Sequence, residues 1–318
     1  MNVPADAAHD QSTPHLRLTN STWVIANPAA GRGTTPKTLA ELRSTFASRG
    51  VTQFHQTAVS GDEETLSVRA LKAGAQTIVA VGGDGTCTRV AQTILTNNSR
   101  CRLAVIPTGT GNDVAKTLGV ARLSPEEIVD LVDRTDTTTP MDVGRVDGHY
   151  FINSCGFGFD ASVLEASTRV RFLKGNAVYI YSALTQLFTY PGTEVSVRGV
   201  PGVNRGQMLM VTVSIGRFLG GAFKIAPNAS VLDGKLDVCF FNDSNVVERV
   251  KLFAGAMRGT HIGMPSVSAA TVDTLALTFP SSPAMEVDGE LRVARSRTVE
   301  LKCVPGALSV IAAPGAIV

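Results

Sequence analysis

The 318-residue chain is predicted to fold as an α/β domain followed by a mainly antiparallel β domain. Three observations predict this. In the first half, short apolar runs alternate with helical patterns, the βαβα order of a mostly parallel sheet with helices on its faces. After about Pro140 the texture changes to strand-like runs broken by Asp-Gly and Pro-Gly turns. The length also exceeds what one hydrophobic core usually serves, so two domains are expected.

The elements follow in order. TWVIANP (Thr22–Pro28) is a strand stopped by Asn-Pro, and PKTLAELRSTFASRG is a helix with Leu39, Leu42 and Phe46 on one face and Gly50 as its stop. VTQFHQTAV is a second strand, and DEETLSVRALKAGA a second helix with acids in its first turn and Gly74 near its end. QTIVAVGG, CTRVAQTILTNN and RLAVIPTGTGN give a third strand, a third helix and a fourth strand with its turn. In the second half, MDVGRVDGHYFINS and the segment around Pro201-Gly202 read as hairpins. GKLDVCFFND, TVDTLALTF, AMEVDGELRV and RTVELKCV continue the β signal, and two helical patterns, GNAVYIYSALTQLFTY and NVVERVKLFAGAMRG, interrupt it.

Composition narrows the function. Hydrophobic content of 44% and charged content of 18% fit a folded protein with sizeable cores. A net charge of +2 without a basic stripe argues against nucleic acid as a partner. The five cysteines, Cys87, Cys101, Cys155, Cys239 and Cys303, have no metal-knuckle spacing and read as reduced thiols of a cytosolic protein. The first 20 residues have early acids and two prolines but no apolar core, which reads as a frayed tail rather than a signal peptide. No apolar run approaches a membrane span, so any lipid contact would be peripheral.

Three Gly-rich breaks fall at the carboxyl ends of the predicted parallel strands: NPAAGRG (Asn27–Gly33), GGDGT (Gly82–Thr86) and PTGTGND (Pro107–Asp113). Open sheets bind ligands there, and glycines let backbone N–H groups approach a phosphate near a helix start. Any one loop alone could be an ordinary tight turn. Neither a Walker loop nor a dinucleotide fingerprint is present. Asp84 within its glycines would be repelled by phosphate oxygens unless a cation lies between. It therefore reads as facing Mg²⁺ on a triphosphate or fixing a substrate hydroxyl, with helix capping as the plainer role. Asp113 reads as tying its loop to neighbouring backbone, with Asn112 capping the helix that follows.

A fourth break, DGE (Asp288–Glu290), offers two carboxylates. Two residues apart on a strand, they would share a face. Glu290 is the preferred general base for phosphoryl transfer and Asp288 the competitor, and a plain hairpin turn is the alternative for both.

The ordered set NPAAGRG, VGGDGT, PTGTGNDVA, GGAFKIAPNASVLDGKLDV and MEVDGE, from about Thr22 to the C-terminus, resembles the diacylglycerol kinase catalytic family. The likeness is to its soluble bacterial lipid kinases, which are related to sphingosine and ceramide kinases. The resemblance implies a three-layer first domain similar to phosphofructokinases and NAD kinases, a β-sandwich-like second domain, and ATP in the cleft between them. The implied divisions are a tail at 1–20, a nucleotide-binding domain at 21–141 with 304–318 returning to it, and a lipid-binding domain at 142–303. It places nucleotide contacts on Asn27, Pro28, Ala29, Ala30, Gly31, Thr57, Gly83, Asp84, Gly85, Thr86 and Thr110, with Asn112 and Asp113 in support. It implies a structural Mg²⁺ on Asp233 and on the carbonyls of Ser230 and Lys235, where an Asp-Gly hairpin turn is the plain alternative.

One departure stands out. The family often follows GGDGT with a hydrophobe, Asn and Glu, whereas this chain has Cys87, Thr88 and Arg89. Arg89 could meet a phosphate or face solvent.

The reading favoured is an ATP- and Mg²⁺-dependent kinase that phosphorylates the hydroxyl of diacylglycerol or a similar lipid at a membrane surface. The alternatives are a soluble-metabolite kinase of the NAD-kinase type and a non-catalytic nucleotide-binding module. Arg169, Arg171 and Lys174, ahead of an apolar helix, could form a membrane-facing entry. A homodimer through the β-rich half is a further expectation.

Overall fold

The computed structural model describes residue 18 and residues 21–31, 36–135, 138–170 and 176–316. The N-terminal tail apart from Leu18, the Arg32-Gly33 end of the first loop, and Arg171 and Lys174 of the expected membrane entry lie outside the described residues.

The first half runs β1 (Thr22–Ala26), α1 (Pro36–Ser48), β2 (Gln53–Gln56), α2 (Asp62–Lys72), β3 (Thr77–Gly82), α3 (Asp84–Thr96) and β4 (Arg102–Pro107), then α4 (Asp113–Thr117) and α5 (Pro125–Arg134). Strands β4, β3, β1 and β2 are adjacent in that order and all parallel. Every residue of β1 and β3 is buried, as helices on both faces require. Leu39, Leu42 and Phe46 are the buried face of α1. Helix α5 starts with a capping box between Ser124 and Glu127 and has Pro125 in its first turn.

The second half contains β5 (Thr139–Val146), β6 (His149–Phe151), β7 (Ser154–Gly158), α6 (Phe159–Arg169), α7 (Asn176–Thr189), β8 (Thr193–Arg198), β9 (Arg205–Ser214) and β10 (Leu236–Asn242). After these come α8 (Val246–Arg258), β11 (Val267–Val272), β12 (Thr274–Thr278), β13 (Ala284–Val287), β14 (Glu290–Val293) and β15 (Thr298–Val310). Its ladders are antiparallel, forming a β-sandwich-like unit in which β9 serves β8 at its start and both β7 and β10 toward its end. The 13-residue β15 pairs with β12 and β5, and its far end lies parallel to β4 through Val310 and Leu103. The two halves are therefore joined by hydrogen-bonded strands as well as by loops.

Three details differ from the sequence expectation, the first being helix α5, which that expectation does not contain. TVDTLALTF is two strands, β11 and β12, because Asp273 turns the chain between them. Helix α6 went unanticipated, since its start, GFGFD, has the look of a loop.

A large core runs through both halves, and a smaller cluster including Leu209, Phe223, Phe241 and Leu252 sits under α8. Among the described residues no helix is long and apolar enough to cross a membrane.

Candidate active site

The loops after β1, β3 and β4 meet backbone to backbone. A Cβ on Gly31 would lie 2.2 Å from the Thr108 carbonyl oxygen, and one on Gly109 would lie 2.4 Å from the Gly83 Cα. Only glycine allows that approach. Asn27 fixes the first loop: its N–H donates to Val81 O, and its Nδ2 donates to Glu63 Oε1 (3.1 Å) and Thr86 Oγ1 (3.2 Å). Its Oδ1 accepts the Ala29 N–H at 2.9 Å. Thr57 is buried at the end of β2, with its N–H on Ala26 O. Pro28, Ala29, Gly31, Gly85 and Thr110 are exposed on the outer surface of the joined loops, while Ala30 is half-buried.

Asp84 is not the cap of its own helix. That place belongs to Gly83, and the Asp84 Oδ1 accepts the N–H of Asp113 (2.6 Å) and of Val114 (3.4 Å), at the start of α4. This corrects the expectation for Asn112, which has φ 55° and makes no cap bond; its Nδ2 donates to Gly109 O instead. An acid from a different loop caps α4 and so locks two loops together. Burial raises the Asp84 carboxyl above its usual range, with Asp113 adding to the rise and backbone N–H groups opposing it. Asp113 in turn accepts from Lys116 Nζ (2.9 Å) and from the Gly221 N–H (2.9 Å), so the GGAFK loop of the second half closes over the first.

Asp288 and Glu290 do not share a strand face. Asp288 and Gly289 are the two-residue turn between β13 and β14, both with positive φ (47° and 86°). Asp288 is nevertheless buried. Its Oδ2 accepts the Ile152 N–H (2.8 Å), and its Oδ1 accepts those of Asn153 (2.9 Å) and Ser154 (3.0 Å). Burial lifts its carboxyl to about 6 against the pull of those three donors, and Asp84 adds to the rise. Glu290, at the first position of β14, is half-exposed between two guanidinium groups, 3.4 Å from Arg89 Nε and 2.8 Å from Arg292. Arg89 also donates to Ser60 Oγ (2.8 Å) and lies 3.6 Å from Glu63. Arg89 is thus a strut between two acids rather than a free solvent-facing charge.

These groups frame a cavity of about 190 Å³ whose lining includes Asp84, Thr88, Asp113, Asp288 and Gly220. Glu290, Arg89, Ser60 and Gly61 border a separate and more open depression of about 460 Å³. A third, apolar cavity of about 60 Å³ is lined by Phe159, Leu187, Met210, Phe223, Phe241 and Leu252 among others. Asp160 and Leu219 line both the first and the third cavities, so the acid-walled space adjoins the apolar one.

The expected Mg²⁺ site lies apart, in the loop before β10. Asp233 Oδ1 accepts the Lys235 N–H (3.0 Å) and Ser230 Oγ accepts the Leu232 N–H (3.3 Å). Nearby Asp237 is pushed up to about 6 by burial and then by Asp233. A carboxylate with backbone carbonyls is a hard-oxygen donor set, and a cation would relieve the Asp233–Asp237 repulsion, so the residues fit Mg²⁺. Among the described residues no group of three or more His, Cys, Asp or Glu is arranged to hold a metal.

Sequence reasoning missed Asn153, Asp160, Leu219 and Glu286, which also line the acid-walled cavity. Glu286 carried a signal: it is the one acid among Met285 and Val287 in a strand that reads as buried.

Comparison with known proteins agrees with this architecture. Residues 21–146 match the diacylglycerol kinase catalytic domain, and residues 153–312 match the YegS C-terminal NAD kinase beta sandwich-like domain. A diacylglycerol kinase of Bacillus subtilis (strain 168) is 29% identical over 271 residues, covering 84% of this chain and 88% of its own. An Alcanivorax borkumensis protein named "Probable lipid kinase YegS-like" is 34% identical over 193 residues, covering 58% of this chain and 63% of its own. The crystal structure of a diacylglycerol kinase from Bacillus anthracis str. Sterne superposes with a TM-score of 0.71 at 20% identity, covering 93% and 98% of the two chains, which shows the shared fold. With both domain matches in order on one chain, this protein belongs to the bacterial family of diacylglycerol kinases and YegS-like lipid kinases.

Proposed function

We propose that the chain transfers the γ-phosphoryl group of ATP to the hydroxyl of diacylglycerol or a similar neutral lipid, giving phosphatidic acid or a related lipid phosphate. The observation that carries this reading is the contact between the acid-walled cavity and the apolar one through Asp160 and Leu219. A polar head and a hydrocarbon chain need such neighbouring spaces, whereas a soluble metabolite has no use for the second.

In this reading the joined loops, Asn27–Gly31, Thr57, Gly83–Thr86, Thr110 and Asn112, border the nucleotide phosphates, which are held by those backbone N–H groups that the loops' own turns leave available. Asp84 would face a Mg²⁺ bound with the nucleotide, which would offset the phosphate charge there. Asp233 and the backbone carbonyls of Ser230 and Lys235 would hold a second Mg²⁺, which would brace the loop before β10. Asp288, rather than Glu290, takes the acceptor proton. Its carboxyl titrates near 6, close to a working pH, and it lines the acid-walled cavity with Asp84. Glu290, held by Arg89 and Arg292, positions Arg89 at the border of the open depression.

Lipid would arrive at α7. Ile180, Tyr181, Leu184 and Phe188 form an exposed stripe on that helix, while Ala183 and Leu187 on its other side line the apolar cavity. The test is transfer of labelled phosphate from ATP to a panel of diacylglycerol, monoacylglycerol, ceramide, sphingosine and phosphatidylglycerol, with NAD and sugars as controls. A labelled lipid supports the reading. Label on NAD or a sugar with none on any lipid overturns it.

A further inference from the structure

Among the described residues the acid-walled cavity holds five carboxyl groups, Asp84, Asp113, Asp160, Glu286 and Asp288, and neither Lys nor Arg lines it. Asp84, Asp113 and Asp288 are engaged by backbone N–H groups or Lys116. Glu286 differs. It is 4% exposed, and its Oε2 has no hydrogen-bond partner among the described residues, although its Oε1 accepts the Gly289 N–H. A bare oxygen on a buried side chain that lines a cavity marks a contact made by something else.

The surroundings explain how Glu286 is held. On β13 it stands opposite Gly156 of β7. A Cβ on Gly156 would lie 2.1 Å from Asp160 Oδ2, so the absent side chain makes room for Asp160 beside Glu286. Burial pushes the Glu286 carboxyl well up, Asp160 and Asp288 push it further, and the Gly289 N–H opposes them, with a weaker pull from the Gly156 N–H, which makes no hydrogen bond to Oε2. Raised by burial and by the neighbouring acids, the Glu286 carboxyl favours its protonated form, which can donate a hydrogen bond. Because Asp288 and Glu286 line one cavity, an acceptor whose hydroxyl reaches Asp288 can present a second oxygen to Glu286.

We propose that Glu286 binds the polar head of the lipid acceptor, its Oε2 hydrogen-bonded to a head-group oxygen that does not react, with Asp160 holding Glu286 in position. The ligand class is a neutral glycerol-type head bearing adjacent hydroxyl and ester oxygens. The inference rests on the lipid-kinase reading.

The test uses the full chain, ATP and dioctanoylglycerol in mixed micelles, with Glu286→Met and Glu286→Gln. Methionine keeps the volume without a donor; glutamine keeps a donor. Glu286→Met is expected to raise KM for dioctanoylglycerol about tenfold, while kcat and KM for ATP stay within about twofold. Glu286→Gln is expected to restore the lipid KM to within about threefold of wild type. A purely structural role would shift both substrates together and lower Tm. Should Glu286→Met not fold, Glu286→Ala carries the same expectation. An unchanged lipid KM in the donor-free variant, or a glutamine variant as impaired as the methionine one, overturns the proposal. If wild type turns over dioctanoylglycerol and the variants match it, this inference alone falls. If wild type phosphorylates no lipid, the reading beneath falls as well.

Discussion

Replacing Asp288 by Asn removes one charge from the centre of the site and leaves the turn in place. The carboxyl titrates at about 6, up from the ordinary 3.8, chiefly because it is buried. A rise of about two units corresponds to roughly 3 kcal/mol in favour of the neutral form in the fold. The stability this group contributes is complete below about pH 3.8, declines as pH climbs, and is gone above about 6. At neutral pH the fold therefore bears the burial of a charge, which Asp288→Asn relieves. Against that, the amide cannot serve all three backbone donors at Ile152, Asn153 and Ser154. One N–H left without an acceptor costs about 1–3 kcal/mol. The two effects nearly cancel, so Tm should move by no more than about 5 °C. Activity behaves differently: loss of a general base lowers kcat by about 10²–10⁴-fold. Labelled phosphate transfer from pH 5 to 8 reads both effects. Wild-type kcat/KM should rise about tenfold per pH unit below 6 and level off above it. A variant keeping more than about a tenth of wild-type rate, or a wild-type profile flat across pH 5 to 7, would refute the assignment.

Three further outcomes are expected. Gly109→Ala drives a methyl into the Gly83 Cα, at 2.4 Å, so the loops must part. ATP-dependent thermal stabilisation should drop by more than about 1.4 kcal/mol, a tenfold loss of affinity. Asp233→Ala should abolish the fall in Tm that EDTA causes in the wild type; an equal fall in both would remove the metal from that loop. Arg249 is buried, with bonds to Leu187 O, Tyr190 O and Ser244 O and a pair with Asp243, so it fastens α8 to the end of α7. Arg249→Ala should cost about 3–5 kcal/mol and lower Tm by roughly 10 °C in a melting experiment.

The sequence carried the parallel sheet clearly because its strands are fully buried and its breaks are glycines, which leave a strong local pattern. It carried the three loops for the same reason. It did not carry their partners. That Asp84 caps α4 in place of Asn112 depends on two loops 29 residues apart meeting, which no local spacing encodes. The Asp-Gly turn was legible as a turn, but the burial of Asp288 within it comes from the backbone of residues 152–154, more than 130 positions earlier. Helix α6 was hidden because Gly156 and Gly158 read as a loop, while their task is to admit Asp160 and the adjacent strand.

The long β15 has a consequence for how this molecule can be taken apart. It lies beside β4 at one end and beside β12 at the other, and β5 follows most of its length. Cutting the chain near residue 146 would leave β4 and β5 with bare hydrogen-bonding edges, which invite stacking with other copies. Neither piece is suited to separate expression, and heating the intact chain should produce a single calorimetric peak rather than two.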